Sequence, residues 1–396
     1  REVKNLCRIA LGTTADQNGY LLVLGLVDGS LCAALAAESR FHVIAADSDP
    51  ALLAKVQKRL YQAGLLGHRV SVVRLDSSGR TQWTDGLADL ILSERSAPVI
   101  PDAECLRLLR PDGGALLLPA RRTSQAFQQT PGKWEAAGSL AVFRRQKLDG
   151  ARDWTHQYGT AGNASYTGEE LGGESATSGM AVQWIGHPGG DFGIDRSPRM
   201  PAPLAANGRL FHQGMNRLVA LNAYNGAVLW SYEIPSLRRV NIPHDCSNWC
   251  ADDDHVYLAL GNRLWMLDAR TGELRHALHL PQPEREKHEW GFIAQEDDYL
   301  VGSAVRSDST YREFWGAMHW YDKVGAAALI AQVCSERLFG YRKSNAKGSW
   351  TYGQGLILNP TLALHGGKLY FLENRSLQLP PGGTARVTDR KLWLNL

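Results

Sequence analysis

No apolar run in this chain is long enough to cross a membrane as a helix. No block of low complexity interrupts it, and with 44% hydrophobic and 21% charged residues it has the composition of a globular protein. Charge of one sign is also missing. The 43 Lys and Arg against 40 Asp and Glu leave a formal charge of +3, too little to argue for nucleic acid as a partner. The basic pairs Arg121-Arg122 and Arg144-Arg145 stand alone and read as solvated surface. Cysteine is scarce and scattered: Cys7, Cys32, Cys105, Cys246, Cys250 and Cys334 form neither a disulfide framework nor a zinc ribbon. Only Cys246 and Cys250 lie close. Two unrelated buried thiols are expected there, with a loop disulfide or metal pair as the other reading. No metal site is expected. The chain opens REVKNLCRIA, with neither an initiator Met nor a signal sequence. The expectation is export to the periplasm if a signal peptide lies upstream, and the cytoplasm otherwise.

What is present falls into two grammars, and 396 residues suit two domains. Residues 1–150 alternate strand and helix. YLLVLGL (20–26), FHVIAAD (41–47), RVSVVRLD (69–76), LADLILSE (87–94) and ALLLPA (115–120) read as strands. GSLCAALAAES (29–39), DPALLAKVQKRLYQAG (49–64) and AECLRLLRPDGG (103–114) read as helices. This alternation predicts a doubly wound parallel sheet, an α/β Rossmann-like fold.

From residue 151 to 396 the helical period fades and a repeat takes over. NGRLFHQGMNRLVALNAYNGAVLWSYEIP (207–235) lies over DDHVYLALGNRLWMLDARTGELRHALHLP (253–281) at an offset of 46. A third copy, ERLFGYRKSNAKGSWTY (336–352), sets Arg337, Leu338, Trp350 and Tyr352 on Arg217, Leu218, Trp230 and Tyr232. GGKLYFLENRS (366–376) is a partial fourth. Each unit reads strand, turn, strand, tight turn, strand, with Gly226 and Gly272 in turns that need positive φ. One such unit cannot bury both faces, so the units stack. A period in the forties points to the four-stranded blades of a β-propeller. About five units fit, so the propeller reads as truncated.

The blade sequences NRLVALNAYNGAVLWSYEIP and NRLWMLDARTGELRHALHLP resemble PQQ-binding-like, quinoprotein-dehydrogenase-like propellers. Residues 1–150 resemble a class I S-adenosylmethionine (SAM)-dependent methyltransferase domain. LGLVDGSL stands for its glycine-rich loop, VIAADSDP for the acidic end of its second strand, and LRLLRPDGGALLLP for a late turn and strand. The order of the halves is similar to bacterial proteins with both domains.

The methyltransferase resemblance implies SAM as the cofactor, with Gly25, Asp28, Gly29, Asp47 and Asp76 as its binding positions. Asp47 would accept from the ribose hydroxyls and Asp76 would meet the adenine. Asp28 is placed only to cap the next helix. Val27 stands where the pattern has its middle glycine, and Val23 where it has an acid, so the loop reads as degenerate. No catalytic residue is evident. Glu94 in LSERSAP reads as a base or, more simply, an exposed helix-cap acid.

PQQ is not expected. The chain has no Cys-Cys pair, and Asp252-Asp253-Asp254 sits in a turn of the repeat. His156, Tyr158, Arg238, Arg239, His244 and Asp245 are the polar residues placed to line the propeller funnel or brace its loops. Trp230 and Trp350 are expected to pack the blades. The resulting expectation is a binding or scaffolding propeller protein whose unidentified protein or small-molecule partner sits on the propeller face. An active methyltransferase is the alternative, and a quinoprotein oxidoreductase the third reading.

Overall fold

The computed structural model describes all of the chain except residues 1, 15, 77, 171–180, 187–200, 215, 236, 238, 240–244, 282–286, 313–330 and 388–396. It resolves into two compact units. The first comprises Arg1–Ala151, Glu170–His187 and Leu221–Leu229; the second comprises Arg152–Glu169, Pro188–Ala220 and Trp230–Leu396.

In the first unit α1 (Glu2–Gly12) leads into β1 (Tyr20–Leu24), α2 (Ser30–Glu38), β2 (His42–Asp47), α3 (Pro50–Gln62) and β3 (Val70–Arg74). Then come β4 (Leu90–Ser93), α4 (Asp102–Leu108), β5 (Ala115–Leu118), α5 (Gln125–Gln129), β6 (Gly132–Ala137) and β7 (Leu140–Arg145). The seven strands are ordered β3-β2-β1-β4-β5-β7-β6. The first five are parallel, and β7 is antiparallel to both neighbours. β1 is apolar throughout because both its faces are covered. Leu21 and Val23 join a core with Cys32 and Leu35 of α2 and Val56 and Leu60 of α3. Leu22 and Leu24 face the other way, into a core with Cys105 and Leu106 of α4. Each fully buried Leu contributes about 1.5–3 kcal/mol.

The start of α3 follows from its sequence. Asp49 caps it, accepting from Ala51 N and Leu52 N, and Pro50 opens the first turn. The pair Arg144-Arg145 corrects the solvated-surface expectation: Arg144 donates to the Thr13 carbonyl, and Arg145 to the Leu106 and Leu109 carbonyls at the end of α4. Both guanidiniums satisfy chain-end carbonyls left over by helices.

The repeat forms antiparallel four-stranded sheets. β8 (Leu204–Ala206), β9 (Arg209–Gln213), β10 (Arg217–Asn222) and β11 (Val228–Glu233) make one, ordered as in the sequence. β12 (Trp249–Ala251), β13 (His255–Leu260), β14 (Arg263–Asp268) and β15 (Leu274–His279) make the next. The third takes β16 (His288–Glu296) and β17 (Tyr299–Arg306) and, after β18 (Gln332–Ser335), β19 (Arg337–Arg342) and β20 (Lys347–Tyr352). β18 pairs instead with short strands at Leu356–Leu358 and Arg386–Val387. Lys368–Tyr370 forms a hairpin with Ala363–His365. These sheets fit a propeller. The third copy therefore begins two strands before the point where sequence similarity sets in.

Gly226 and Gly272 have φ of 71° and 73°. Trp230 explains why glycine is also needed for space. A Cβ on Gly272 would stand 2.7 Å from the Trp230 ring, whose Nε1 donates to the Ala269 carbonyl at 3.0 Å. Inside the first unit Trp184 does the same to Gly226 and to the Ala223 carbonyl, again at 3.0 Å. Trp350 departs from expectation: it is 36% exposed and lies beside Gly340 of its own sheet. Asp252 does build a turn, accepting from Asp254 N and His255 N. All six cysteines are buried free thiols.

Candidate cofactor site

The chain leaves β1 toward β2 on one side, and β4 flanks β1 on the other. In an open parallel sheet this is the crevice that receives a ligand. In register, Leu24 faces Ala46 and Ser93, so Gly25, Asp47 and Glu94 end three adjacent strands at one level. The two loop glycines are obligatory. Gly25 has φ 63° and Gly29 φ 80°, and a Cβ on Gly29 would stand 2.9 Å from Val56 Cγ1. Val27 is not in the left-handed region and is 60% exposed. Leu26, between them, is fully buried.

Several of the loop's polar groups already have partners. Leu26 N donates to Asp47 Oδ2 at 2.9 Å, and the Leu26 carbonyl accepts from Arg95 Nη2 at 2.6 Å. Val27 N donates to Glu94 Oε2 at 3.2 Å. Asp47 is fully buried, with Oδ1 accepting from Asp49 N at 3.1 Å and Oδ2 also 3.3 Å from Arg95 Nη2. The Arg95 chain lies over Gly25: a Cβ on that glycine would sit 3.4 Å from Arg95 Cβ and Cγ. Glu94 is thus neither an exposed cap nor a free base. It is half-buried and holds the loop. Burial, with Asp28 and Asp47 adding to it, pushes its carboxyl above the usual range against the pull of Val27 N–H and Arg95.

Asp28 stands one residue before the N-cap of α2, which is Gly29 and has no side-chain cap bond. Its Oδ1 accepts from Ser30 N and Ser30 Oγ at the start of α2, and Oδ2 pairs with Arg59 Nη1 at 2.6 Å. Those Ser30 hydrogen bonds, and then Arg59, hold its carboxyl below the usual carboxylate range. Asp76 is exposed beyond β3 and closes a turn onto Ser78 N and Oγ, which holds its carboxyl low. The crevice therefore gathers Gly25, Asp28, Gly29 and Asp47, while Asp76 is engaged in a turn of its own. Arg95 is the residue that sequence reading missed. It stands directly after Glu94 in LSERSAP, and a cation at a strand end beside a buried acid was the available signal.

The second unit brings His156, Tyr158 and Asp245 to one cavity of about 40 Å³, room for little more than a water molecule. His156 is buried and accepts from Gln295 N at its Nε2, so its proton sits on Nδ1 and is shared with Thr155 Oγ1. Burial pushes it down to about 3, so it stays neutral. Arg239 is buried too, and donates to Asp245 and to the Trp290 and Gly291 carbonyls. Arg238 and His244 lie outside the described residues. Among the described residues no cluster of His, Cys, Asp and Glu is arranged to hold a metal ion.

Strand order and blades define a two-unit class: a Rossmann-like methyltransferase fold followed by a PQQ-like β-propeller. Within that class, the chain belongs to the family described as outer membrane protein assembly factor BamB, whose model (PQQ_2) matches residues 57–301. No curated protein matches the sequence. Among solved structures, one provisionally classed as a SAM-dependent methyltransferase of Methanococcus maripaludis is 19% identical, over 37% of this chain and 85% of its own, with a TM-score of 0.32. A SAM-dependent methyltransferase from Aquifex aeolicus is 12% identical, over 36% of this chain and 96% of its own, with a TM-score of 0.29. A europium-containing methanol dehydrogenase is 14% identical over 44% of this chain, with a TM-score of 0.29; the chain spans 37% of that enzyme.

Proposed function

We propose that the chain is a binding or scaffolding protein built on its PQQ-like propeller, and that its methyltransferase-like unit holds no SAM. The observation that carries this reading is the closure of the crevice by its own side chains. Asp47, the acid placed for a ribose, is fully buried and already engaged by Leu26 N, Asp49 N and Arg95. A buried carboxylate so paired would have to loosen these contacts to take up a pair of ribose hydroxyls. Arg95, rather than the exposed Val27, is what covers the loop. The residues present therefore do not fit the cofactor as they stand. The cavity beside His156 likewise has space for about one water, against the ~300–1,000 Å³ typical of organic-ligand sites. That weighs against a quinone there.

The second reading, an active methyltransferase, is favoured by the two left-handed glycines and the strand order. Thermal unfolding of the full chain in millimolar SAM separates the two. A ligand that binds only the folded chain raises the Tm by mass action. Our reading expects no shift. A rise of about 2 °C or more, increasing with concentration, would favour the second.

A further inference from the structure

The second unit carries a cleft of about 830 Å³, lined by none of the candidate site residues described above. Antiparallel pairing builds its polar part. Lys287 precedes β16, Arg306 ends β17 and Arg337 opens β19, and the register sets His288 opposite Arg306 and Ala304 opposite Arg337. Strand ends of one polarity thus collect at one end of the sheet. Arg375 joins them from beyond β20.

The one carboxylate in the lining, Glu336, cancels the charge of Arg306 and leaves that of Lys287 and Arg337. It is saturated by Arg306 Nε and Nη2 at 3.0 and 2.8 Å and by His288 Nε2 at 2.9 Å. Arg306 Nη1 goes to the Pro380 and Gly383 carbonyls, so that guanidinium belongs to the wall. Arg375 is tied to Glu373, yet its side chain is 64% exposed. The Lys287 ammonium has no partner among the described residues.

Two further features bear on what would fit. The turn Gly353-Gln354-Gly355 lines the cleft as nearly bare backbone. A Cβ at 353 would lie 2.8 Å from the Glu336 carbonyl, and one at 355 would lie 2.6 Å from that of Asn374. The amides of these three residues donate to no acceptor among the described residues. Successive open amides beside cations suit an oxyanion. The rest of the lining is largely apolar, with Leu356, Leu377 and Leu379. Its volume lies within the ~300–1,000 Å³ of organic-ligand sites.

We propose that this cleft binds a small organic oxyanion, a carboxylate or phosphate carried on an apolar body, with Lys287 and the 353–355 amides on the head group and the leucines on the body.

The test is calorimetric titration of the full chain with hexyl phosphate and with hexanoate, beside inorganic phosphate and hexanol. The expected result is saturable one-to-one binding of at least one amphiphile, about tenfold or more tighter than inorganic phosphate, and none of hexanol. Which amphiphile binds distinguishes the phosphate source from the carboxylate. Lys287→Gln should weaken that binding about tenfold, and because the exposed Lys287 side chain has no partner among the described residues the variant breaks no described side-chain contact. Leu377→Ser should weaken the amphiphile and leave inorganic phosphate unchanged. No saturable binding of either amphiphile, or binding that both variants leave intact, would overturn the proposal.

Discussion

Asp47 and Asp268 each close a β-strand, and each accepts backbone amides from the turn that follows. Beyond that they differ. Asp268 completes its shell locally: Arg270 N, Thr271 N and Arg275, all within one hairpin. Burial pushes its carboxyl up, but Arg275 and the Thr271 amide overcome this and hold its pKa at about 2. Its counterpart one repeat earlier, Asn222, builds the same turn by accepting from Tyr224 N. Asp47 takes its remaining partners, Leu26 N and Arg95, from strand ends far away in sequence. A local role can be read twice in a repeat. A long-range one cannot be read at all, and there a strand-end acid looks like a ligand site whether or not its own chain has filled it.

The contrast can be broken most severely at Asp89, a long-range acid of the first unit with four partners among the described residues. Its buried carboxylate meets Arg110 Nε, Asn222 Nδ2, Asn225 Nδ2 and Tyr20 N. Asp89→Ala leaves buried Arg110 with only its longer ion pair to Asp16, strips Asn222 and Asn225 of an acceptor, and should cost about 3–5 kcal/mol in urea unfolding of the full chain. A loss below about 1 kcal/mol would show that such a shell is less committed than we hold.

The repeat offers the next test, because one packing device occurs in two settings. Trp230→Ala removes a buried ring and its bond to Ala269 and should cost about 3 kcal/mol. The half-buried Trp184 should cost about half as much when truncated, since less apolar area is lost. Equal losses would mean that the shared hydrogen bond and ring-on-glycine contact, rather than the apolar area buried, set the cost.

Glu336 gives a smaller effect with a defined pH window. The His288 hydrogen bond, aided by Arg306 and opposed by burial, holds its carboxyl at about 2, below the usual carboxylate range. A lowered native value means stability that is present above the unfolded value near 4.5 and lost as pH falls toward 2. Glu336→Gln should therefore cost about 1–2 kcal/mol at pH 7. The gap to the native chain should close between pH 4.5 and 2 in acid titrations followed by circular dichroism.

Much of this architecture was legible in the sequence. Unbroken apolar runs marked the buried parallel strands, Asp49-Pro50 marked the start of α3, and the offset of 46 marked the blades. What escaped lacked periodicity or continuity. The β6–β7 hairpin has a first strand with no buried residue, so no apolar alternation announces it. The first half of the third sheet was hidden because Ser307–Glu336 separates β17 from β19. Trp184 was readable in principle: AVQW at 181–184 repeats AVLW at 227–230 at the same offset of 46. At the crevice the glycines and Asp47 were found by position. Their occupation by Arg95 and Glu94 was not, because nothing local in LSERSAP says where those side chains turn.

The central claim, that Arg95 and Asp47 close the crevice from within, is tested most directly by calorimetric titration of S-adenosylhomocysteine into the full native chain and an Arg95→Ala variant. The account predicts no saturable heat for the native chain and measurable binding once the guanidinium no longer covers Gly25. Micromolar binding by the native chain, unchanged in the variant, would contradict it.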